Sequence, residues 1–448
     1  MADAKPNVLF IPIDDLRPQL GCYGRLQMVT PHIDALAGEG TLFERAYCQV
    51  PVCGATRASL LTGVRPTRDR FVTFSTWADE DLPGALTLPE HFRTHGYATL
   101  SAGKVFHHPP DCAERSWSEA PWYFHGPGED WRNYLLPKSL QAGPRGPGAP
   151  FECADVPDNA YFDGRTADQA IRQLRRLKDG GQPWFLACGF VKPHLPFNAP
   201  KRYWDLYRRE DVDLADNPFP PEDAPGEALH DWGELRKYLG IPAEGPLSDD
   251  MARGMVHGYY AATSYADAQV GSVLAELDRL GLSESTIVVV WGDHGWQLGE
   301  HGLWCKHCNF NTSLNAPLIV RAPGMRRGGR CTALTEFLDV YPTLCELADL
   351  PLPDHLDGSS FASFLDSPQQ PGKEAVYSRY NAGDSVRTDT HLYTEWTDDE
   401  GRVAARMLYD HNVDPDENRN LAARPENAAL VAQLAAMLER IRQDARSS

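Results

Sequence analysis

Short apolar runs along the chain alternate with longer segments whose apolar residues recur at helical spacing. Val8-Leu9-Phe10-Ile11, Trp184–Val191 and Thr286–Trp291 carry almost no polar residue, the pattern of strands buried on both faces. Ala98–Ala102 and Leu318–Val320 add two further strands. Between them, Ala167, Ala170, Ile171, Leu174 and Leu177 fall on one face of a helix over Arg165–Lys178. A longer helix runs from about Ser248 to Leu280, and shorter ones cover Leu88–His95, Phe337–Leu347 and Thr30–Ala37. The last has Thr30 as its cap and Pro31 in its first turn. Strands alternating with helices predict an α/β fold with a mostly parallel or mixed central sheet flanked by helices.

Ser367-Pro368-Gln369-Gln370-Pro371-Gly372 interrupts this pattern. It predicts a catalytic domain over 1–370 and a smaller C-terminal α+β subdomain over 371–448. In the latter, strand-like pieces at Ala375–Arg379, His391–Trp396 and Arg406–Tyr409 precede a final helix. Two irregular stretches, 107–160 and 196–248, are too long to be plain connections, and stretches of that length are commonly functional.

A hydrophobic share of 42% over 448 residues suits a globular enzyme with a large core. Acidic residues outnumber basic ones, 62 to 43, and the net charge of −19 argues against nucleic acid or an anionic membrane as partner. Ten cysteines are too few for a disulfide framework in a chain this long. Cys305-Lys306-His307-Cys308 has no second pair at matching spacing, which disfavours a zinc or redox site. No stretch approaches the roughly 20 apolar residues that span a bilayer. The N-terminus lacks the apolar run of a secretory signal, so the sequence as it stands reads as cytoplasmic, or as periplasmic or secreted if a signal was removed.

Candidate chemistry gathers at strand ends, where open α/β sheets place their ligands. Asp14-Asp15 follows the first strand and Asp293-His294 follows Thr286–Trp291, with Gly292 and Gly295 allowing close approach. Alone, each pair reads equally as a solvated or capped turn. Together, three carboxylates and an imidazole suit one divalent cation, calcium or magnesium for the oxygens, manganese or zinc for the imidazole. Cys53-Gly54-Ala55-Thr56-Arg57, running on to Leu60-Leu61-Thr62-Gly63, adds a cysteine followed at fixed spacing by Ala and Arg.

These segments resemble the sulfatase family of the alkaline-phosphatase superfamily, above all its iduronate-2-sulfatase branch. The resemblance runs in order from about residue 6 to 421. It includes Asn7–Phe10 leading to Asp14-Asp15-Leu16-Arg17, Ala102-Gly103-Lys104-Val105-Phe106-His107 and Lys192-Pro193-His194-Leu195-Pro196-Phe197. It continues through Gly292–Trp296, Leu298–Gly302, Lys306, Ser385–Thr388, Leu408-Tyr409-Asp410 and Asp414-Pro415. The resemblance implies an alkaline-phosphatase-like fold and a calcium ion, with magnesium or manganese as alternatives. Its ligands would be Asp14, Asp15, Asp293, His294 and Cys53, the last oxidised to formylglycine by a maturation enzyme.

It implies further that Arg57 holds the formylglycine hydroxyl and that Lys104 and Lys306 bracket the sulfate. His107 would take a proton as sulfate leaves, and His194 would contact the sulfate and protonate the departing sugar oxygen. The substrate implied is a sulfated oligosaccharide of glycosaminoglycan type, cut at the 2-O-sulfate of a uronic acid. Sugar contacts are expected at Trp296 and in the two irregular stretches, and His301 is read as structural or as a support behind the site residues. Ala55 and Thr56 depart from the usual Pro and Ser of the signature, which bears on how efficiently Cys53 is converted. Two alternatives stay open: a phosphonate or phosphate ester hydrolase of the same superfamily, and a non-catalytic sugar-binding protein in which Cys53 remains a thiol.

Overall fold

The computed structural model describes residues 5–124, 129–140 and 147–447. The remaining parts of the 107–160 stretch lie outside the described residues, as does the extreme N-terminus.

The central sheet has seven strands: β1 (Asn7–Ile13), β2 (Thr41–Phe43), β3 (Ala98–Gly103), β4 (Trp184–Gly189), β5 (Thr286–Gly292), β6 (Leu318–Arg321) and β7 (Gly329–Cys331). Their order is β7-β2-β6-β5-β1-β4-β3. β1 runs parallel to both β4 and β5, and β3 parallel to β4. β6 is antiparallel to β5 and β2, which makes the sheet mixed. The short strands β2 and β7 have no alternation long enough to announce them in the sequence.

Burial on both faces explains the apolar runs. Val8, Phe10, Phe185, Val289 and Trp291 point to one face, where they meet Leu60, Leu61, Phe92 and Leu344. Leu9, Ile11, Ile13, Leu186, Val288 and Val290 point to the other. That second face is covered by α1 (Pro31–Glu39), α3 (Phe162–Lys178) and α4 (Asp249–Arg279). Helix α2 (Cys53–Thr62) lies on the first.

Thr30 is not the side-chain cap expected for α1. Its hydroxyl bonds to the Asp34 carboxylate. The free backbone N–H groups of His32 and Ile33 are instead met by Asp267 of α4, at 3.3 and 2.7 Å. A buried tertiary partner has displaced the local one.

Four antiparallel strands follow: β8 (Ala375–Tyr380), β9 (Gly383–Thr388), β10 (His391–Thr397) and β11 (Val403–Asp410). Leu434, Met437 and Leu438 of the last helix (Ala428–Ser447) cover Tyr377, Val386, Tyr393 and Leu408 on one sheet face. Strand β9 is absent from the sequence expectation because Asp384, Ser385 and Arg387 make it look polar. All three are buried, with Asp384 paired to Arg379 and Arg442 at 3.1 and 2.9 Å.

Candidate active site

Register brings the acidic pairs together. Ile13 of β1 lies opposite Gly292 of β5, so the residues that follow each strand emerge side by side. The chain turns sharply there, with Asp15 at φ +59°, and its N–H donates to Asp293 Oδ1 at 2.9 Å. Helix α2 arrives N-terminus first, Cys53 being its first residue. Thr56 fastens it by donating from its hydroxyl to the Asp293 carbonyl at 3.1 Å. The Thr that departs from the family signature therefore holds the helix to the acidic strand end.

Arg57 is fully buried beneath this junction. Its Nε meets Asp293 Oδ2 at 2.9 Å, one terminal nitrogen meets Asp14 Oδ1 at 3.2 Å, and the other donates to the carbonyls of Lys104 and Val105. Lys104 follows β3 and pairs with Asp14 Oδ2. It can do so because Gly103 (φ +74°) and Gly189 let β3 and β4 close on each other. A Cβ on Gly189 would lie 1.9 Å from the Lys104 carbonyl. Lys306 reaches both oxygens of Asp15 at 3.1 Å.

Five buried carboxyl and imidazole groups thus share one volume. Donor atoms of Asp15, Asp293 and His294 lie within 4.8 Å of one another, as do those of Asp14, Asp15 and His194. Burial would raise Asp14, but Lys104 and Arg57 hold it well below the usual carboxylate range. Burial pushes Asp15 well above that range, and crowding by Asp14, Glu234 and Asp293 works with it against Lys306. Burial would lower His294, yet Asp293 and Cys53 raise it. Both upward shifts express one condition: the cluster holds more negative charge than its burial tolerates, and it takes up protons or a cation.

The donor set fits a cation. His294 Nδ1 donates to the Gly295 carbonyl at 2.9 Å, which leaves Nε2 aimed at Asp15 Oδ1 (3.3 Å) and Asp293 Oδ1 (3.7 Å), without a hydrogen-bond partner among the described residues. A backbone carbonyl fixing one ring nitrogen while the other faces carboxylates is the arrangement of a metal-binding histidine.

Above the cluster lies a cavity of about 800 Å³, lined by Cys53, Lys104, His107, His194 and Lys306. Asp163 positions the His194 loop by accepting from the N–H groups of Val191 and Lys192 at 2.9 and 2.7 Å. His194 Nδ1 bonds to the Leu195 carbonyl at 2.5 Å. Burial, with Lys306 nearby, holds this imidazole well below its usual pKa.

Burial pushes His107 down to about 3, with Lys104 adding to the effect, and its Nδ1 has no hydrogen-bond partner among the described residues. An unfolded histidine titrates near 6.5. Below that pH the unfolded chain binds a proton that the folded site refuses, so this contribution to stability is complete above pH 6.5 and falls as the pH drops toward 3. Between pH 7 and 5 the loss is about 2 kcal/mol from this group. His107→Gln is expected to flatten the fall of the urea midpoint over that interval; an equally steep fall contradicts the assignment.

The two irregular stretches furnish the upper walls. From the first come Tyr123, Trp131 and Arg132, from the second His230, Glu234, Lys237 and Tyr238, and Tyr380 comes from β8. Trp131 meets His194 edge-on at 5.2 Å and carries the Arg132 guanidinium over its ring at 4.7 Å. Asn198 holds the Arg132 carbonyl at 2.8 Å.

Trp296, expected to touch sugar, does not line the cavity. It is 1% exposed, packed against Tyr259 and Phe197, because the turn after Gly295 drives it into the core. His301 bonds to the Asp416 carbonyl at 2.9 Å and stacks on Phe310. Cys305 and Cys308 are free and buried, like most of the other cysteines.

Sequence reasoning missed Glu234. It meets Lys306 at 2.9 Å and His194 Nε2 at 3.4 Å. In the sequence it is one acidic residue among Glu222, Asp223, Glu227 and Asp231, with no local signal to single it out.

The family model described as Sulfatase matches residues 6–350. The one described as N-sulphoglucosamine sulphohydrolase, C-terminal, matches residues 299–444. Iduronate 2-sulfatase of Mus musculus is 36% identical over 395 residues, covering 79% of this chain and 71% of that protein. Choline-sulfatase of Rhizobium meliloti (strain 1021) is 28% identical over 467 residues, covering 97% and 86%. Phosphonate monoester hydrolase SpPMH from Silicibacter pomeroyi shares the fold, with a TM-score of 0.80 at 23% identity over 98% of this chain and 96% of that one.

Proposed function

Since this chain belongs to the sulfatase family and is a hydrolase of sulfuric esters, we propose that it removes the 2-O-sulfate of a uronic acid from a sulfated oligosaccharide, using a formylglycine formed from Cys53. One observation carries the reading: Cys53 opens helix α2 on the wall of the cavity that Lys104 and Lys306 also line, near enough to His294 and to both lysines to interact with them electrostatically. The preference for a uronate is supported by the 36% identity to iduronate 2-sulfatase.

Asp14, Asp15, Asp293 and His294 would hold a divalent cation, calcium by the oxygen-rich donor set, which would supply Lewis acidity at the sulfate and lower the pKa of a bound hydroxyl. Formylglycine, when formed and hydrated, supplies the nucleophile. Lys104 and Lys306 set positive charge where negative charge builds on the sulfate oxygens. His107, kept neutral by burial, offers a ring nitrogen as proton acceptor as sulfate leaves. His194 presents Nε2 to the cavity. Its role as acid toward the sugar oxygen requires a proton taken up with the anionic substrate, whose charge offsets that of Lys306.

At the cavity mouth, Arg132 and the exposed Lys237 would meet the uronate carboxylate, with Phe74 and Trp131 as apolar faces for the ring. A walled cavity on a chain of net charge −19 suits chain ends or short oligosaccharides better than a long polyanion. The test compares kcat/KM on a disaccharide with a terminal 2-O-sulfated uronate, on 6-O-sulfated glucosamine and on intact polymer. The uronate disaccharide is expected to be cleaved fastest; faster cleavage of the glucosamine sulfate overturns the substrate, and faster cleavage within polymer overturns the pocket.

A further inference from the structure

A carboxylate in the wall of an anion-binding cavity weakens attraction for every anion, and Glu234 is such a group. Its Oε2 lies 2.9 Å from Lys306 Nζ and 4.0 Å from His307 Nδ1, and its Oε1 lies 3.4 Å from His194 Nε2. The side chain is 21% exposed, on the cavity wall. The single charge of Lys306 is therefore shared between two carboxylates, Asp15 and Glu234. Among the described residues, Lys104 pairs with Asp14 only. Burial would raise the Glu234 carboxyl, but Lys306 holds it well below the usual range, so it is ionised at neutral pH.

Charge bookkeeping gives this carboxylate a purpose. The floor holds three cationic side chains, Arg57, Lys104 and Lys306, against three carboxylates, Asp14, Asp15 and Asp293. Burial keeps His107, His230 and His307 neutral, and a histidine that binds metal is neutral too. With a divalent cation in the cluster the floor carries two net positive charges, and Glu234 reduces them to one. A sulfate ester carries one negative charge, whereas a phosphate monoester carries up to two above its second pKa of about 6.

We infer that Glu234 tunes the cavity to monoanionic esters and so discriminates against dianionic phosphate monoesters. No hydrogen bond to the ester is needed for this: the discrimination is electrostatic, and removing the charge favours the dianion over the monoanion. A phosphonate monoester or a phosphate diester, each a monoanion, is not rejected by this device. The inference rests on the sulfatase reading of the same site.

The test uses the matured, calcium-loaded enzyme and two non-hydrolysable ligands of similar shape. These are methanesulfonate, a monoanion, and methylphosphonate at a pH where it is doubly ionised. Dissociation constants come from calorimetry and from competition against an aryl sulfate. Wild type is expected to favour methanesulfonate. Glu234→Gln is expected to shift the ratio about tenfold toward methylphosphonate, and Glu234→Asp, which keeps the charge, to stay close to the wild-type ratio.

An unchanged ratio in Glu234→Gln overturns the inference, and so does an equal shift in Glu234→Asp, which would assign the effect to side-chain length. Should Glu234→Gln fail to fold, a wild type that binds methylphosphonate tenfold more tightly than methanesulfonate overturns it as well. Wild type that turns over no sulfate ester defeats the functional reading instead, and the calorimetric ratio still reports on Glu234.

Discussion

Cys53→Ala is expected to abolish sulfate-ester hydrolysis, lowering kcat by at least about 10⁴-fold, while the protein stays folded. The side chain is small and only 3% exposed, and alanine is a better helix former than cysteine at the first residue of α2. Arg57, Asp14 and Asp293 keep their mutual contacts without it. The loss would therefore be chemical, the removal of the group that carries the nucleophile. Kinetics on an aryl sulfate, the thermal midpoint and mass spectrometry of the peptide spanning Cys53 check this together. Active wild type should contain the aldehyde in proportion to its rate. Activity in the alanine variant, or in wild type carrying only thiol, defeats the mechanism and favours the sugar-binding alternative.

Arg57→Met is expected to destabilise the protein by about 3–5 kcal/mol, because it leaves two buried carboxylates without their shared partner. Arg57 makes four polar contacts from a side chain with no exposed surface. Methionine fills much of the volume but answers none of them. Arg57→Lys is expected to recover little, since one ammonium cannot span Asp293, Asp14 and two carbonyls in the fork geometry of a guanidinium. The deficit should be larger in chelator than in calcium, because a bound cation neutralises the same carboxylates and stabilises by mass action. Urea midpoints in both conditions measure it. A loss below about 1 kcal/mol, the scale of an exposed ion pair, would show that Asp14 and Asp293 do not depend on Arg57.

Much of the central fold could be read from local patterns, for a reason visible in particular elements. β1, β4 and β5 are buried on both faces, so their residues had to be apolar without interruption. Helix α3 is covered on one side only, so its apolar residues had to recur with the helical period. Elements without such a constraint stayed silent. β9 is polar in sequence because its charged residues are buried in pairs, and β2 and β7 are three residues each. The first turn of α1 drew its partner from Asp267, more than two hundred residues away.

What the chain dictates unaided is the list of reactive side chains and the strand ends that present them. Asp14-Asp15 and Asp293-His294 had to emerge at the same edge once β1 and β5 were parallel neighbours, a consequence of apolar strands seeking burial. The tertiary structure alone decided what surrounds that edge. Trp296 went to the core, Arg132 and Trp131 came over the cavity, and Glu234 settled 2.9 Å from Lys306. The placements of Arg132, Trp131 and Glu234 depend on long loops held down by distant groups such as Asn198. Loop residues carry no periodicity, and whether a carboxylate meets solvent or a buried lysine is settled by packing between segments far apart in the chain.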